Sequence, residues 1–197
     1  TFAAAEVNER EATRVNAMHE HVKGEFKNKQ GHEQVYRAKD PRFLLWVHCA
    51  FTDSFLKAHL ALGYSIHQGA DAYVEQWSKS AVPLGLTNAP MSVAELEAAL
   101  DDFRINDLAT VARTAEVVRF ILNPPFDGAG KFFYKVISNA AIATLHQHEL
   151  TLLGLKKRSK IWLRISRVSL DIFLAILGPE PPAMQVARER IERSQPA

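Results

Sequence analysis

Cysteine is nearly absent from this sequence, because Cys49 is the only one in 197 residues. A single thiol cannot form an intrachain disulfide, so the count excludes a disulfide-stabilised scaffold. It also excludes the Cys-x-x-Cys-His motif that attaches a cofactor through thioether bonds. Cys49 stands in a strongly apolar segment, which favours a buried structural thiol over a nucleophile or a thiolate ligand.

An excess of charge of one sign is also missing. The sequence has 24 basic and 22 acidic residues, a net charge of +2, and this balance gives no indication of a nucleic-acid partner. No run reaches the roughly 18 apolar residues of a membrane span, and the first residues lack the basic and apolar regions of a signal peptide. We therefore expect a cytoplasmic or peripheral membrane location. The first residue is Thr1, which predicts a processed or trimmed piece of a longer protein.

The common motifs of phosphate and metal sites are absent as well. There is no Gly-x-Gly-x-x-Gly and no Gly-x-x-x-x-Gly-Lys-Ser/Thr, so no phosphate cradle is indicated. There is no His-Glu-x-x-His, and the pair His19 and His21 has the wrong spacing to share one helix face. The Glu-x-x-His pairs of di-iron bundles are also missing.

Helical periodicity is what the sequence has in abundance. No segment shows convincing period-two alternation with turn signals, so we predict an all-α fold without a substantial sheet. Length and composition predict a single domain over residues 1–197, a bundle of about seven helices. The central buried helix is predicted at about residues 40–62, where Asp40-Pro41 gives an N-cap followed by proline at the first helical position.

The remaining helices are predicted around this central one. They cover about residues 3–22, 69–84, 93–103, 108–122, 127–148 with a break allowed, and 159–177, and a short charged helix follows at 183–193. Ser92 and Glu95 form a capping box at the start of the fourth helix. Residues 25–39 are predicted as a surface loop or short hairpin. In the seventh helix, the predicted inward residues are Ile161, Ile165, Val168 and Ile172.

Two histidines stand on apolar stripes of successive helices. The stripes are Val15, Met18, His19 and Val22 in the first helix, and Leu44, Val47, His48, Phe51 and Phe55 in the central helix. Two interpretations are open, because a buried imidazole needs a partner for its nitrogens. His19 and His48 are either core residues hydrogen-bonded to a neighbour or ligands of a metal centre. His148 shares a face with Leu145 and Leu152 and is a weaker third candidate.

The histidines belong to motifs that resemble the catalytic domain of the rubber oxygenases. The motifs are Arg14-Val15-x-x-Met18-His19-x-x-Val22-x-Gly24, Tyr36-x-Ala38-x-Asp40-Pro41-x-x-Leu44-x-Trp46-Val47-His48, and the pair Asp53-Ser54. This family includes the latex clearing proteins and the membrane-bound oxygenase of mycophenolic acid biosynthesis. The resemblance covers nearly the whole chain, and its specific part is residues 18–48.

The resemblance implies a cofactor and a reaction. Latex clearing members hold one haem b between helices, and their proximal histidine corresponds to His19, the implied metal ligand. His48 is a second implied cofactor-binding residue, without a defined role. The implied reaction is oxidative cleavage of an alkene in a small hydrophobic, isoprenoid-like substrate by dioxygen. Its pocket would be lined by Met18, Val22, Val47, Phe51 and Phe55. The family's distal-pocket residues lie upstream of Thr1, so the domain is expected to lack upstream helices and no catalytic acid or base is assigned.

A different class of function remains open beside the oxygenase. It is a non-enzymatic helical module that binds an apolar ligand or a partner chain, with both histidines structural. Imidazoles within about 3 Å of each other in a compact core would favour this module, and an open cavity between their helices would favour a ligand site. The exposed basic residues are also open to two interpretations, a solvated face or peripheral contact with an anionic membrane. They are Lys156, Lys157, Arg158, Lys160 and Arg164.

Overall fold

Nine α-helices and one hairpin form the part of the chain that the computed structural model describes, residues 5–178 and 182–194. The helices are α1 (Ala5–His21), α2 (Pro41–Ala61), α3 (Gly69–Ser78), α4 (Val93–Asn106), α5 (Thr114–Leu122), α6 (Gly128–Thr144), α7 (Gln147–Leu153), α8 (Ile161–Leu177) and α9 (Pro182–Ser194). The hairpin pairs β1 (Lys23–Lys27) with β2 (Glu33–Arg37), and Val82–Leu84 is a short 3-10 helix. The all-α prediction is confirmed, although the predicted number of about seven helices was too low.

The bounds of the third, fifth and sixth helices need comment. The third helix ends at Ser78, short of the predicted residue 84, and Val82–Leu84 forms a separate 3-10 helix whose first turn tolerates Pro83, because a proline there needs no N–H donor. The fifth helix begins only at Thr114, and Thr110 in the preceding loop donates a hydrogen bond to the carbonyl oxygen of Leu152. The break allowed in the predicted sixth helix is present, because the backbone is extended at Leu145 (ψ 144°), and the second part continues to Leu153.

The hairpin connects α1 to α2 and packs aromatic side chains against the start of α2. Its strands are antiparallel, with Gly24 opposite Tyr36. The Phe43 ring of α2 makes edge contacts with Tyr36, at 4.8 Å between centroids, and with Phe26, at 5.8 Å. The hairpin alternative for residues 25–39 is therefore the correct one. It places Tyr36 beside the central helix.

The hydrophobic core is formed where α2, α3 and α4 meet. It contains Cys49, Leu56, Val74, Leu96 and Leu100. This arrangement corrects the predicted stripe of α2, because Val47, Phe51 and Phe55 are about half exposed. The buried residues of α2 are His48, Cys49, Thr52 and Leu56. The first half of α2 is apolar on most sides, so periodicity alone could not identify the face that packs on the core.

The orientation of α8 also differs from the prediction. Ile161, Ile165, Val168 and Ile172 were predicted to point inward, and all four are exposed. The side of α8 that packs on α6 is marked instead by Ser166, which is buried and donates a hydrogen bond to the Val136 carbonyl oxygen. Like α2, α8 carries apolar residues around most of its circumference. The prediction depended on a difference between an apolar and a polar face, and this helix shows little of that difference. None of the described helices combines the length and apolar character needed to span a membrane.

Candidate functional site

A cavity of about 220 Å³ lies between α1, β2, α2, α3 and the 3-10 helix, and we call it the histidine cavity. Both predicted histidines, His19 and His48, line it, together with apolar side chains such as Leu44, Val47 and Phe51. The end of α1 is fixed beside the cavity by Asn16, whose side-chain amide donates to the carbonyl oxygen of Pro83 at 3.0 Å.

The two imidazoles in this cavity do not hydrogen-bond each other. Nδ1 of His19 and Nε2 of His48 are both buried without any hydrogen-bond partner in the described part of the chain. His48 is 8% exposed, and burial lowers the pKa of its imidazole, which favours the neutral form. Buried polar atoms without partners are uncommon in proteins. They mark this cavity as a place where a ligand atom would find a free nitrogen.

The rest of the predicted lining is only partly brought together. Val47 and Phe51 line the histidine cavity, whereas Met18, Val22 and Phe55 do not and are exposed to about one half. The weaker third candidate ligand, His148, is not brought to the other two histidines. It is exposed at the start of α7 and lines neither this cavity nor the second one described below.

The donor atoms of the histidine cavity match the needs of a haem iron more closely than those of a metal held by several side chains. Among the described residues, no group of three or more His, Cys, Asp or Glu side chains could hold a metal ion. A haem iron takes only one or two ligands from the protein, and neutral imidazole is a common one. His19 and His48 offer such nitrogens beside apolar walls. The cavity is smaller than the about 300–1,000 Å³ of typical ligand pockets, so a bound haem would extend beyond its enclosed part.

A second and larger cavity, of about 570 Å³, lies on another side of α2 between α2, α4, α6, α7 and α8. We call it the large cavity. Its walls are mainly apolar, but two ion pairs stand in them. Arg104 Nε donates to Glu149 Oε1 at 2.9 Å, and Lys57 Nζ donates to Asp53 Oδ2 at 2.8 Å. Sequence patterns gave no indication of the Arg104–Glu149 pair, because its residues are 45 positions apart.

The carboxylate of Glu149 is the most unusual polar group of the large cavity. Its Oε2 atom is buried and has no hydrogen-bond partner within the described residues. Burial acts to raise the pKa of this carboxyl group, but its own backbone N–H and the Arg104 guanidinium outweigh burial and hold the pKa below the usual value. Glu149 is therefore ionised at neutral pH, and Oε2 is an unused hydrogen-bond acceptor.

Residues 1–177 match the model of the family described as ER-bound oxygenase mpaB/B′/rubber oxygenase, catalytic domain. The chain belongs to this family. No curated protein and no solved structure matches the chain. The matched residues of this mpaB/rubber oxygenase domain include His19, His48 and the lining of both cavities.

Membership of this family confirms the resemblance that the motifs around residues 18–48 indicated. It also places the protein among oxygenase domains, at the level of the family. Binding of a small substrate and of dioxygen is the expected property of such a domain.

Proposed function

We propose that this member of the mpaB/rubber oxygenase family is a haem-dependent oxygenase that cleaves an alkene in a small hydrophobic, isoprenoid-like substrate with dioxygen. The observation that carries the proposal is the pair of buried, unpartnered imidazole nitrogens, on His19 and His48, in one mainly apolar cavity. Family membership of the chain supports the oxygenase class.

In this proposal His19 is the residue that holds the haem b iron, and His48 is a second contact of the cofactor. The haem, when bound, supplies the binding and activation of dioxygen. The protein's own side chains have three roles. The imidazole of His19 fixes the position of the cofactor, the low pKa of His48 keeps its ring neutral, and apolar walls that include Leu44 and Phe51 exclude water and accept an alkene.

The first prediction concerns the absorption spectrum of the intact protein. We expect a Soret band after purification or after titration with haemin. His19→Ala should abolish haem binding, because it removes the nitrogen that would hold the iron. His48→Ala should retain some haem with an altered spectrum, because it changes the surroundings and not the ligand.

His21→Ala is the matched control for the histidine variants. His21 is exposed, lies two residues from His19 on α1 and does not line the histidine cavity, so its removal should leave the spectrum unchanged. Full haem occupancy in His19→Ala together with complete loss in His48→Ala would show that the ligand lies on α2. A colourless protein that binds no added haemin would refute the haem proposal and favour the non-enzymatic module.

We also propose peripheral contact with an anionic membrane through α8 and the turn before it. Exposed basic side chains and exposed apolar side chains occur together there. Lys156, Lys157, Arg158, Lys160 and Arg164 are exposed, and so are Ile161, Ile165, Val168 and Ile172. An amphipathic helix with basic residues beside an apolar face is typical of binding at an anionic lipid surface.

Sedimentation with liposomes tests this contact. The protein should sediment with vesicles of phosphatidylserine and phosphatidylcholine, less with phosphatidylcholine alone, and less again at high salt, because lipid charge provides part of the attraction. Val168→Asp should weaken binding to the anionic vesicles by inserting a charge into the apolar face. Ala98→Asp, on the exposed surface of α4, is the matched control. Sedimentation that is independent of anionic lipid would refute the contact.

A further inference from the structure

We infer that the large cavity is a second ligand site of this protein, which takes a neutral, elongated apolar alcohol whose hydroxyl group donates to Oε2 of Glu149. This inference does not depend on haem or on the histidine cavity. It rests on the size of the cavity, on the charges in its walls and on the unused acceptor of Glu149.

The size and lining of the large cavity suit a small apolar molecule. Its volume of about 570 Å³ lies within the about 300–1,000 Å³ of typical ligand pockets, and its walls are mainly apolar. The lining includes Leu62 at the C-cap of α2, Leu145 at the break between α6 and α7, and Leu163 and Leu170 of α8. A ligand of mainly hydrocarbon character would gain free energy by covering these side chains.

The charges in the walls favour a neutral head group. Lys57 is paired with Asp53, and Arg104 is paired with Glu149, so these four charges cancel. Arg104 is held further by Asp101 at 2.6 Å. Lys57 and Arg104 therefore already have carboxylate partners, and a carboxylate ligand would also be repelled by the ionised Glu149. An anionic head group is therefore disfavoured.

The acceptor atom selects a hydrogen-bond donor. Oε2 of Glu149 is buried, ionised and without a partner in the described chain, so it lacks the donor that a buried carboxylate oxygen requires. A ligand hydroxyl supplies one donor and carries no charge. The remaining hydrocarbon can then lie along the apolar walls of the same cavity.

The large cavity is separate from the histidine cavity, although both are lined by α2. The histidine cavity meets α2 at Leu44, Val47, His48 and Phe51 among others, and the large cavity meets it at Trp46, Ala50, Asp53 and Lys57 among others. None of the described residues lines both cavities. A ligand in the large cavity would therefore leave the two imidazoles free.

Trp46 provides a direct measurement, because it lies in the wall of the large cavity and bromine quenches tryptophan fluorescence at contact. Terminally brominated decanol should quench the intact protein saturably, and Trp46→Phe should remove that quenching. Brominated decane, which lacks the hydroxyl, should bind at least about tenfold more weakly, as expected for loss of a hydrogen bond to a charged group. Brominated decanoate should also bind more weakly than the alcohol.

Two substitutions that fill the cavity test its position. Ala58→Phe on α2 and Ala141→Phe on α6 each place a ring in the lining and should abolish saturable quenching. Ala98→Phe makes the same change on exposed α4, outside both cavities, and should keep the affinity of the intact protein. Far-ultraviolet circular dichroism identifies any variant that fails to fold, and the second filling variant then gives the result.

Three results would overturn the inference. The first is quenching that both filling variants leave unchanged, and the second is quenching that Ala98→Phe reduces equally. The third is equal affinity for brominated decane and brominated decanol, which would refute the role of Glu149. None of these results depends on the Soret band or on His19, so this site and the haem proposal can fail independently.

Discussion

Cys49 is the residue whose ionisation the fold changes most clearly. It is completely buried in the core between α2, α3 and α4. Burial, assisted by the nearby carboxylate of Asp53, raises the pKa of its thiol from its ordinary value of 9.0 to about 11. The thiol is therefore neutral and shielded in the folded protein, as the apolar sequence around it predicted.

This shift makes the free energy of unfolding depend on alkaline pH. Because the folded pKa of Cys49 is raised, its contribution is fully present below pH 9.0 and is lost as the pH rises towards about 11. We expect urea unfolding to show a loss of up to about 2–3 kcal/mol from this group across that window. The Cys49→Ala variant should lose less stability over the same pH range than the natural protein.

The difference in pH dependence between the natural protein and Cys49→Ala reports the ionisation of the Cys49 thiol alone. Burial also raises the pKa of Tyr73, which titrates in an overlapping window, but Tyr73 is present in both proteins and its effect cancels. Parallel curves for the natural protein and Cys49→Ala between pH 9 and pH 11 would contradict a raised pKa of Cys49.

Individual residues also show which parts of the site could be predicted. His19 and His48 were identified because each is a polar residue on a local apolar stripe, and the structure brings both to one cavity. Arg104 and Glu149 meet only through the packing of α4 on α7, and no local pattern encodes that contact. The Asp53–Lys57 pair could be expected from the sequence, because i, i+4 charges share a helix face, but such a pair does not indicate a cavity.

At the scale of elements, the starts of α2 and α4 were predictable because their caps are local signals, whereas the start of α5, which has no side-chain cap, was not. Asp40 accepts a hydrogen bond from the Arg42 backbone N–H at 2.8 Å, and Ser92 accepts one from the Glu95 backbone N–H at 3.2 Å. Both caps were predicted from the sequence. The buried faces of α2 and α8 were not predictable, because each helix is apolar on several sides and tertiary packing chooses among them.

The cap of α2 gives a stability prediction. Asp40→Ala should cost about 1 kcal/mol of unfolding free energy, because it removes the hydrogen bond to the Arg42 backbone N–H. Asp127→Ala is the matched control, since Asp127 is the N-cap of α6 and makes no capping hydrogen bond with its side chain. Urea unfolding should therefore show a smaller loss for Asp127→Ala, and an equal loss would contradict the role of the Asp40 side chain.

The ion pair between α4 and α7 gives a second prediction at this scale. Arg104 and Glu149 are each 21% exposed in their side chains, so solvent screens their interaction only partly. A double-mutant cycle with Arg104→Met and Glu149→Gln should give a coupling of about 1–2 kcal/mol in unfolding experiments. The exposed pair Arg14–Glu11 should give a smaller coupling in the same type of cycle. Equal couplings would show that partial burial does not strengthen the Arg104 pair.

Stability should be unevenly distributed over the whole molecule. In the described chain, α2, α3 and α4 share the core cluster, whereas α5 contains no buried residue. Phe120 of α5 is 74% exposed. We expect backbone amides of α5 to exchange with deuterium much faster than those of α4, because opening α5 exposes little additional apolar surface. Protection of α5 equal to that of α4 in peptide-resolved exchange would contradict this expectation.

The two cavities on either side of α2 have a mechanical consequence. Void space inside a folded protein disappears on unfolding, so the unfolded chain and its water occupy less volume than the folded protein and its water. The parts of the cavities of about 220 Å³ and about 570 Å³ that water does not fill therefore make the fold sensitive to hydrostatic pressure, and the central helix lies against both. A molecule that fills either void reduces that volume difference, and the folded protein becomes less compressible.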